Sequence, residues 1–178
     1  MKTKQLLTAF LLATGLCAGH AHAGLLGSTA TFEYRFPTAG DIYTGEGMGP
    51  QTATVGNGVE FVVEGMYSID VQDERIVYSV LHDLGWNNTV EHNGPRITFA
   101  GVTIDFAALD TLNTSLGGAG LVLTWAPSYV DLNWKDYDGK SIVVNVGVAP
   151  SDVPGPASFA LLAAGLAGAG LARRRSRR

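Results

Sequence analysis

Residues 67–80 read Tyr-Ser-Ile-Asp-Val-Gln-Asp-Glu-Arg-Ile-Val-Tyr-Ser-Val, and they indicate the fold of this chain most clearly. Apolar and polar side chains alternate on both sides of a polar centre, which is the period of a half-buried strand. A four-residue loop from Gln72 to Arg75 places the apolar side chains of both strands on one face: Tyr67, Ile69, Val71, Ile76, Tyr78 and Val80. Ser68 and Asp70 fall on the other face. The stretch therefore predicts an antiparallel hairpin with one buried side.

The same period of two recurs on either side of this hairpin, between clusters of Gly, Asn and Asp. It predicts further strands at residues 29–36, 51–55, 59–63, 121–125, 129–135 and 141–148. No window sustains the apolar stripe of an amphipathic helix. Roughly eight or nine strands with regular turn signals predict an all-β domain, built as an antiparallel sandwich or a barrel.

Two more hairpins are predicted from register. The first aligns Ile97 with Ile104 and Phe99 with Val102 around the turn at residues 100–101. In the second, a two-residue Asp-Gly turn would mix core and solvent faces. A three-residue loop at 137–139 instead keeps the faces matched, with the pairs Trp134 and Ile142, Leu132 and Val144, Val130 and Val146. Trp134 alternates in phase with Val130 and Leu132, so we predict that it lies in the core.

The N-terminus has the composition of a secretory signal peptide, predicted over residues 1–23. Two lysines precede an apolar run at residues 6–16, and Ala21 and Ala23 supply the small side chains of a cleavage site before Gly24. Cys17 follows Leu16, whereas a lipoprotein site needs a small residue there. The mature protein is therefore predicted to contain no cysteine, although export would permit disulfides.

The C-terminus combines three features in a fixed order. A proline motif, Val153-Pro154-Gly155-Pro156, holds the backbone extended. The uncharged residues 157–172 follow, and as a helix of about 1.5 Å per residue they would span about 24 Å, close to a hydrocarbon core of about 30 Å. A basic block ends the sequence and predicts a stop-transfer signal that stays on the cytoplasmic side. The block consists of Arg173, Arg174, Arg175, Arg177 and Arg178.

This tail resembles the PEP-CTERM sorting signal of Gram-negative bacteria, with Gly155 standing where that family usually has glutamate. The resemblance implies a transmembrane helix at 157–172, transient insertion in the inner membrane, and processing by signal peptidase and by exosortase, the family's membrane protease-transpeptidase. It also implies a final location at the cell surface or outside the cell, in the exopolysaccharide of a biofilm. The body more loosely resembles the glycine-rich β domains that PEP-CTERM proteins carry. A permanent tail anchor on a proline-containing stalk is the alternative.

Removal of both signals leaves an ectodomain at residues 24–152 with sixteen acidic and five basic residues, a net charge of −11. Such a surface repels nucleic acid and anionic membranes, so we predict no nucleic-acid partner. It suits divalent cations or a hydrated polysaccharide matrix. No cofactor is predicted.

The candidate site residues cluster near Trp86, which with Asn87 and Asn88 forms a candidate exposed platform for a ligand. Other aromatic side chains that could stack on sugar rings are Trp125, Tyr129, Trp134 and Tyr137. A hairpin around Trp86 could also bring together a weak metal group of His82, Asp83, Glu91 and His92, for which a polar surface loop is the simpler reading. The acidic run from Asp131 to Gly139 lacks the ligand alternation of a calcium loop and indicates an Asx-stabilised turn.

No catalytic motif occurs in the sequence: there is no Gly-x-Ser-x-Gly, no phosphate loop and no His-Glu-x-x-His. Three functions of different classes remain. The leading prediction is a non-catalytic surface or matrix protein, associated with exopolysaccharide. A carbohydrate-binding module would need exposed aromatics on one sheet face or loop end. A secreted hydrolase would need paired carboxylates converging in a cleft.

Overall fold

The computed structural model describes residues 24–63, 65–81 and 89–150, and the strands among them form two antiparallel sheets. In chain order they are β1 (Thr29–Arg35), β2 (Ile42–Tyr43), β3 (Gln51–Thr54), β4 (Val59–Val63), β5 (Tyr67–Val71), β6 (Arg75–Val80), β7 (Gly94–Ala100), β8 (Ile104–Leu109), β9 (Val122–Ala126), β10 (Tyr129–Asn133) and β11 (Ser141–Val148). A 3-10 turn, Ser115–Gly118, precedes β9. The all-β prediction is confirmed, in the form of a sandwich.

The first sheet, called sheet A, has the order β2, β1, β7, β10, β9, and β3 also pairs with β1. Strands β2 and β3 share one edge of β1: β2 pairs with its end at Tyr34 and Arg35, and β3 pairs with its start from Thr29 to Phe32. Strand β1 alternates exposed or half-buried residues with fully buried ones. This alternation places one set of side chains in the core and the other on an outer face.

The second sheet, sheet B, has the order β4, β5, β6, β11, β8. The hairpin of β5 and β6 has the predicted register, with Ile69 opposite Tyr78 and the Gln72 N–H bonded to the Arg75 carbonyl at 2.8 Å. Glu60 marks an irregularity between β4 and β5, and its carboxylate accepts bonds from the backbone N–H groups of Gly56 and Val71. The side chain thus replaces the ladder bonds that a bulge interrupts.

The two sheets enclose one apolar core. Rings meet across it: Phe32 of β1 and Phe61 of β4 lie 5.7 Å apart between centroids. Trp134, fully buried, packs edge-on against Tyr67 at 5.1 Å and against Tyr78 at 6.1 Å. The prediction that Trp134 belongs to the core is confirmed. Aromatic pairs in such tilted or edge-on arrangements add to the stabilisation that burial provides.

Two predicted hairpins are wrong. Strand β7 pairs with β1 and β10, while β8 pairs with β11 in the other sheet, so Ile97 does not pair with Ile104, nor Phe99 with Val102. Likewise β10 and β11 lie in different sheets, and the pairs of Trp134, Leu132 and Val130 with residues of β11 do not form. In both cases the chain crosses from one sheet to the other instead of turning back. The inward-facing side chains of the two strands in each pair then meet across the core.

Residues 23–149 form one compact unit by backbone contacts. Among the residues that the structure describes, no helix is long and apolar enough to cross a membrane. The predicted signal peptide, the proline motif, the span at 157–172 and the arginine block lie outside the described residues, and so their assignments stay predictions.

Candidate functional site

The predicted site residues divide between two parts of the chain. His82, Asp83, Trp86, Asn87 and Asn88 lie outside the described residues, so their predicted roles are untested. Glu91 is exposed, whereas His92 is buried with 7% of its surface accessible. Within residues 24–63, 65–81 and 89–150, no group of three or more His, Cys, Asp or Glu side chains is placed to hold a metal ion.

His92 faces Asp131, a carboxylate that is 1% exposed on β10. The imidazole Nε2 lies 3.2 Å from Asp131 Oδ1. The other oxygen, Oδ2, accepts hydrogen bonds from both Nε and Nη2 of Arg96, which stands opposite Asp131 on β7. A buried carboxylate is tolerated only when it is paired in this way, so this cluster reads as a fixed structural contact.

The electrostatics of this cluster follow from its partners. Burial alone would raise the pKa of Asp131, because desolvation disfavours the charged form. The contacts with His92 and with the charged guanidinium of Arg96 outweigh burial and hold the pKa of Asp131 below its usual range. Asp131 therefore remains a carboxylate through the neutral range, and it is shielded from solvent.

The chain leading to His92 is tied to the end of β10 by several bonds. Asn133 donates from its side chain to the Glu91 carbonyl at 3.1 Å and accepts the Asn93 N–H at the same distance. Lys135 donates to the Val90 carbonyl at 3.3 Å. The His92 N–H bonds to the carbonyl of Pro37 at 2.9 Å. The segment at 90–93 is thus held against sheet A. In sequence it follows the residues predicted to form the ligand platform.

The aromatic candidates for sugar stacking have different environments. Trp134 and Tyr137 are fully buried, and the Tyr137 hydroxyl is directed inward, within 2.7 Å of the Ser141 carbonyl. Trp125, on the edge strand β9, is 40% exposed. Tyr129 is half-buried on β10, and the Arg96 guanidinium lies 4.5 Å from its ring centroid. Trp125 and Tyr129 therefore remain candidates, while Trp134 and Tyr137 do not.

The outer face of sheet A carries a regular group of threonines that the sequence reasoning missed. Two Thr-Ala-Thr segments pair antiparallel, so that Thr29 stands opposite Thr54 and Thr31 opposite Thr52. On the other side of β1, Thr31 stands opposite Thr98, which stands opposite Tyr129 of β10. We call Thr29, Thr31, Thr52, Thr54 and Thr98 the threonine face. Neighbouring strands lie about 4.8 Å apart, so the row from Thr52 to Tyr129 extends about 14 Å.

One end of the threonine face opens into a cleft of about 450 Å³, lined by residues 26–29 and 100–102. We call it the end cleft. Ser28 is 6% exposed, and its Oγ is buried without a hydrogen-bond partner among the described residues. Leu26, in contrast, is 49% exposed. Thr29 and Ala100, which are paired across β1 and β7, belong to the cleft and to the sheet surface at once.

Only part of this site could be read from the sequence. The alternation in residues 29–31 and 52–54 indicates two outward threonines on each strand, but their pairing needed the fold. Ser28 stands in a Gly-Ser-Thr stretch that carries no signal of a site. Comparison of the chain with models of protein families, with curated proteins and with solved structures found no match.

Proposed function

We propose that this chain is an exported, non-catalytic protein of the cell surface or extracellular matrix, sorted through its C-terminal segment. The observation that carries the proposal is the order of features along the sequence: a secretory leader, an all-β body, a proline motif, an apolar run and an arginine block. The basic block keeps the terminus inside, so the body between the two signals is delivered outside the inner membrane.

The charges of the described body support a binding role over a hydrolytic one. Carboxylate catalysis needs two acidic groups that converge on a substrate. Asp131 is instead occupied by His92 and Arg96, and Glu33 on the same sheet is paired with Arg35. The end cleft is lined by uncharged residues. These pairings favour a scaffold that presents a surface.

Association with extracellular polysaccharide is the second part of the proposal, and a carbohydrate-binding role is its sharper form. The threonine face offers hydroxyl groups in rows next to the half-buried ring of Tyr129. Hydroxyls that hydrogen-bond and a ring that stacks are the two kinds of contact that sugars use. Trp125 is also exposed at the sheet edge, but its register opposite the buried Val130 places it on the other side of the sheet from the threonine face.

The sorting proposal is tested by mass spectrometry of the protein from a host that has the processing enzyme and from one that lacks it. We expect the surface and released forms to lose residues after the proline motif only in the first host. Replacing Pro154 and Pro156 together by alanine should impair cleavage because it relaxes the extended backbone, whereas Gly155→Glu should preserve or improve it. Intact Arg178 in the extracellular product of both hosts would show an uncleaved anchor and overturn the assignment.

The matrix proposal is tested separately by fractionating the same cultures. We expect the processed protein to sediment with the extracellular polymer and to be released when the polysaccharide is digested. A variant that lacks the arginine block is the control, because its apolar segment should slip outward before processing. Recovery of the processed protein entirely in the polymer-free supernatant would contradict the matrix role.

A further inference from the structure

We propose that the free edge of β9 pairs antiparallel with β9 of a second copy of this chain, so that two molecules form a symmetric dimer. Such a dimer depends neither on the sorting signal nor on a contact with polysaccharide. Three features of this edge support the pairing: its free backbone groups, its exposed apolar side chains and its lack of charge.

The outer side of β9 carries backbone groups without a partner. The Phe99 N–H bonds to the Ser128 carbonyl at 2.8 Å, so the even-numbered residues of β10 direct their backbone groups to β7. The odd-numbered residues of β10 then bond to the even-numbered residues of β9. Leu123 and Trp125 therefore direct their N–H and C=O groups away from the sheet, and in the described part of the chain none of the four has a hydrogen-bond partner.

The positions on either side of these free groups are already occupied. The Leu121 N–H bonds to the Gly118 carbonyl at 3.0 Å, and the Pro127 carbonyl accepts the Ile104 N–H at 2.8 Å. The free groups thus form a short segment with defined ends. Its length suits one short strand.

The free groups are arranged symmetrically about Thr124, and this symmetry favours a second copy as the partner. A two-fold axis at Thr124 places Leu123 opposite the partner's Trp125, and Trp125 opposite the partner's Leu123. Each of these two pairs exchanges both of its N–H to C=O bonds, as hydrogen-bonded pairs of antiparallel strands do. Every free group of both edges is then satisfied.

Apolar side chains are exposed along the same part of the chain. Val122 is 56% exposed and Trp125 40%, and the loop that leads into β9 carries Leu112, 94% exposed, and Leu116, 65% exposed. In the symmetric register Trp125 and the partner's Leu123 share one face of the joined sheet. Removing this apolar surface from water favours association.

The distribution of charge permits two copies to meet at this edge. The body carries a net charge of −11, so two copies repel each other in most orientations. Residues 111–130 contain no charged side chain, and the whole of β9 lies within them. Pairing at β9 therefore brings no like charges directly opposite each other, an arrangement that destabilises paired strands.

The other sheet edges have features that discourage pairing with another chain. Strands β2 and β3 are short, with two and four residues. Strand β4 is irregular next to Glu60, and β8 carries the exposed Asp105 and an irregular register with β11. Short strands, bulges and charges are common ways of protecting an edge. Strand β9 has five uncharged residues in unbroken register with β10.

Pairing at β9 would join the two copies of sheet A into one continuous sheet. The two-fold axis is perpendicular to this sheet, so both threonine faces lie on the same side of it. If the threonine face contacts polysaccharide as proposed above, the dimer offers two contacts to one polymer. Two linked contacts hold a polymer more tightly than one.

The first test places one cysteine in the full chain, in which Cys17→Ser has removed the natural thiol. At the axis Thr124 lies opposite the partner's Thr124 as a non-hydrogen-bonded pair, with Cα atoms about 4.5 Å apart. A disulfide spans about 4.4–6.8 Å between Cα atoms, so Thr124→Cys should cross-link. Val122→Cys is the matched control: it lies on the same face of β9, but its two copies would be about 14 Å apart in this register.

Cells that express each variant are treated with a mild oxidant, and the chain is examined on non-reducing gels. We expect Thr124→Cys to run at twice the monomer mass until a reductant is added, and Val122→Cys to run as a monomer. Equal cross-linking at both positions, at Val122 alone or at neither would overturn the pairing. A Thr124→Cys product of any other mass would show that a different protein occupies the edge, which would also overturn it.

The second test measures the native mass of the full chain in a mild detergent over a range of concentrations. Thr124→Lys places two ammonium groups opposite each other at the axis. Thr54→Lys is the control, because Thr54 is also exposed but lies on β3 at the opposite edge of sheet A. Both variants should keep the melting temperature of the monomeric wild type, since neither side chain is buried.

We expect wild type and Thr54→Lys to dimerise in the same range of concentration. Thr124→Lys should need at least tenfold more protein to dimerise. A wild-type chain that stays monomeric at every concentration would overturn the proposal, and so would a Thr124→Lys variant that dimerises like wild type. Neither result would bear on sorting or on matrix association.

Discussion

The indole Nε1 of Trp134 donates a 3.0 Å hydrogen bond to the hydroxyl oxygen of Tyr34, one hundred residues earlier in the chain. That hydroxyl donates in turn to Asn93 Oδ1 at 2.5 Å. The bonds join β1, the start of β7 and the end of β10 inside the core. Burial raises the pKa of Tyr34 above its usual range, so its hydroxyl stays protonated.

Tyr34→Phe should therefore destabilise the body by about 1–3 kcal/mol, because the indole N–H and the Asn93 oxygen lose a partner while the ring packing is kept. Chemical denaturation measures the change. Tyr43→Phe is the matched control, since this half-buried ring packs against Tyr34 from the neighbouring strand β2. Equal losses of stability in the two variants would show that the hydrogen bonds of the Tyr34 hydroxyl contribute little to the stability of the body.

Stability should fall in acid through Asp131. Its pKa is lowered in the folded state, so between the folded pKa and the unfolded value of about 3.9 the unfolded chain binds more protons. The stability that the Asp131 carboxylate contributes is fully present above the pKa of the unfolded state. It is lost as the pH falls through the pKa of the folded state. Asp131→Asn should cost about 3 kcal/mol at neutral pH and flatten the dependence of stability on pH below about pH 4.

Denaturation curves between about pH 2 and pH 7 check this prediction in the region where the carboxylate titrates. Asp105→Asn is the control, because Asp105 is exposed on β8. An Asp131→Asn variant that keeps the acid slope of the wild type would contradict the role given to Arg96 and His92.

Gly94 at the start of β7 should tolerate no side chain. A Cβ there would lie 1.9 Å from the backbone carbonyl oxygen of Leu132 on β10, where neither group can move cheaply. Gly94→Ala should cost about 3 kcal/mol, the upper range for overpacking. The melting temperature of Gly56→Ala gives the comparison, since the nearest atom to its Cβ is 3.9 Å away. Similar melting temperatures for the two variants would mean that β7 and β10 are less closely packed there.

The exported protein should begin at Gly24. Signal peptidase requires small residues at the first and third positions before the cut, which Ala23 and Ala21 provide. N-terminal sequencing of the exported form tests this, and a thiol reagent should not label it because Cys17 has been removed. Ala23→Leu should block processing, whereas His22→Leu should not. An N-terminus that retains Lys2, or a lipidated Cys17, would contradict the prediction.

Local structure was predictable from the sequence, and the partners of most strands were not. The hairpin of β5 and β6 has the predicted register because a four-residue loop fixes it. In contrast, β10 and β11 show the inward alternation of a hairpin while lying in opposite sheets. Two strands that face one another across a core present the same pattern as two strands paired side by side. Alternation therefore locates core residues such as Trp134 but does not choose the sheet.

The candidate site was less predictable for the same reason. Outward threonines at 29–31 and 52–54 follow from alternation, but their assembly depends on β3 pairing with β1. Ser28 becomes distinctive only through its burial and its missing partner. In the sequence, His92 belongs to the predicted metal group. In the fold its imidazole instead contacts Asp131, which comes thirty-nine residues later in the chain.

The order of strands in the sheets also sets the time at which this body can fold. Strand β1 pairs along its whole length with β7, and sheet B needs β11 to join β8 to β6. Pairing between distant segments is slow because loop closure must precede it. If the chain is exported as proposed, sheet A is not complete until Asn133 has crossed the membrane, and sheet B not until Val148, a few residues before the proline motif at Val153. Complete folding of the body must then wait until nearly all of it has crossed the membrane.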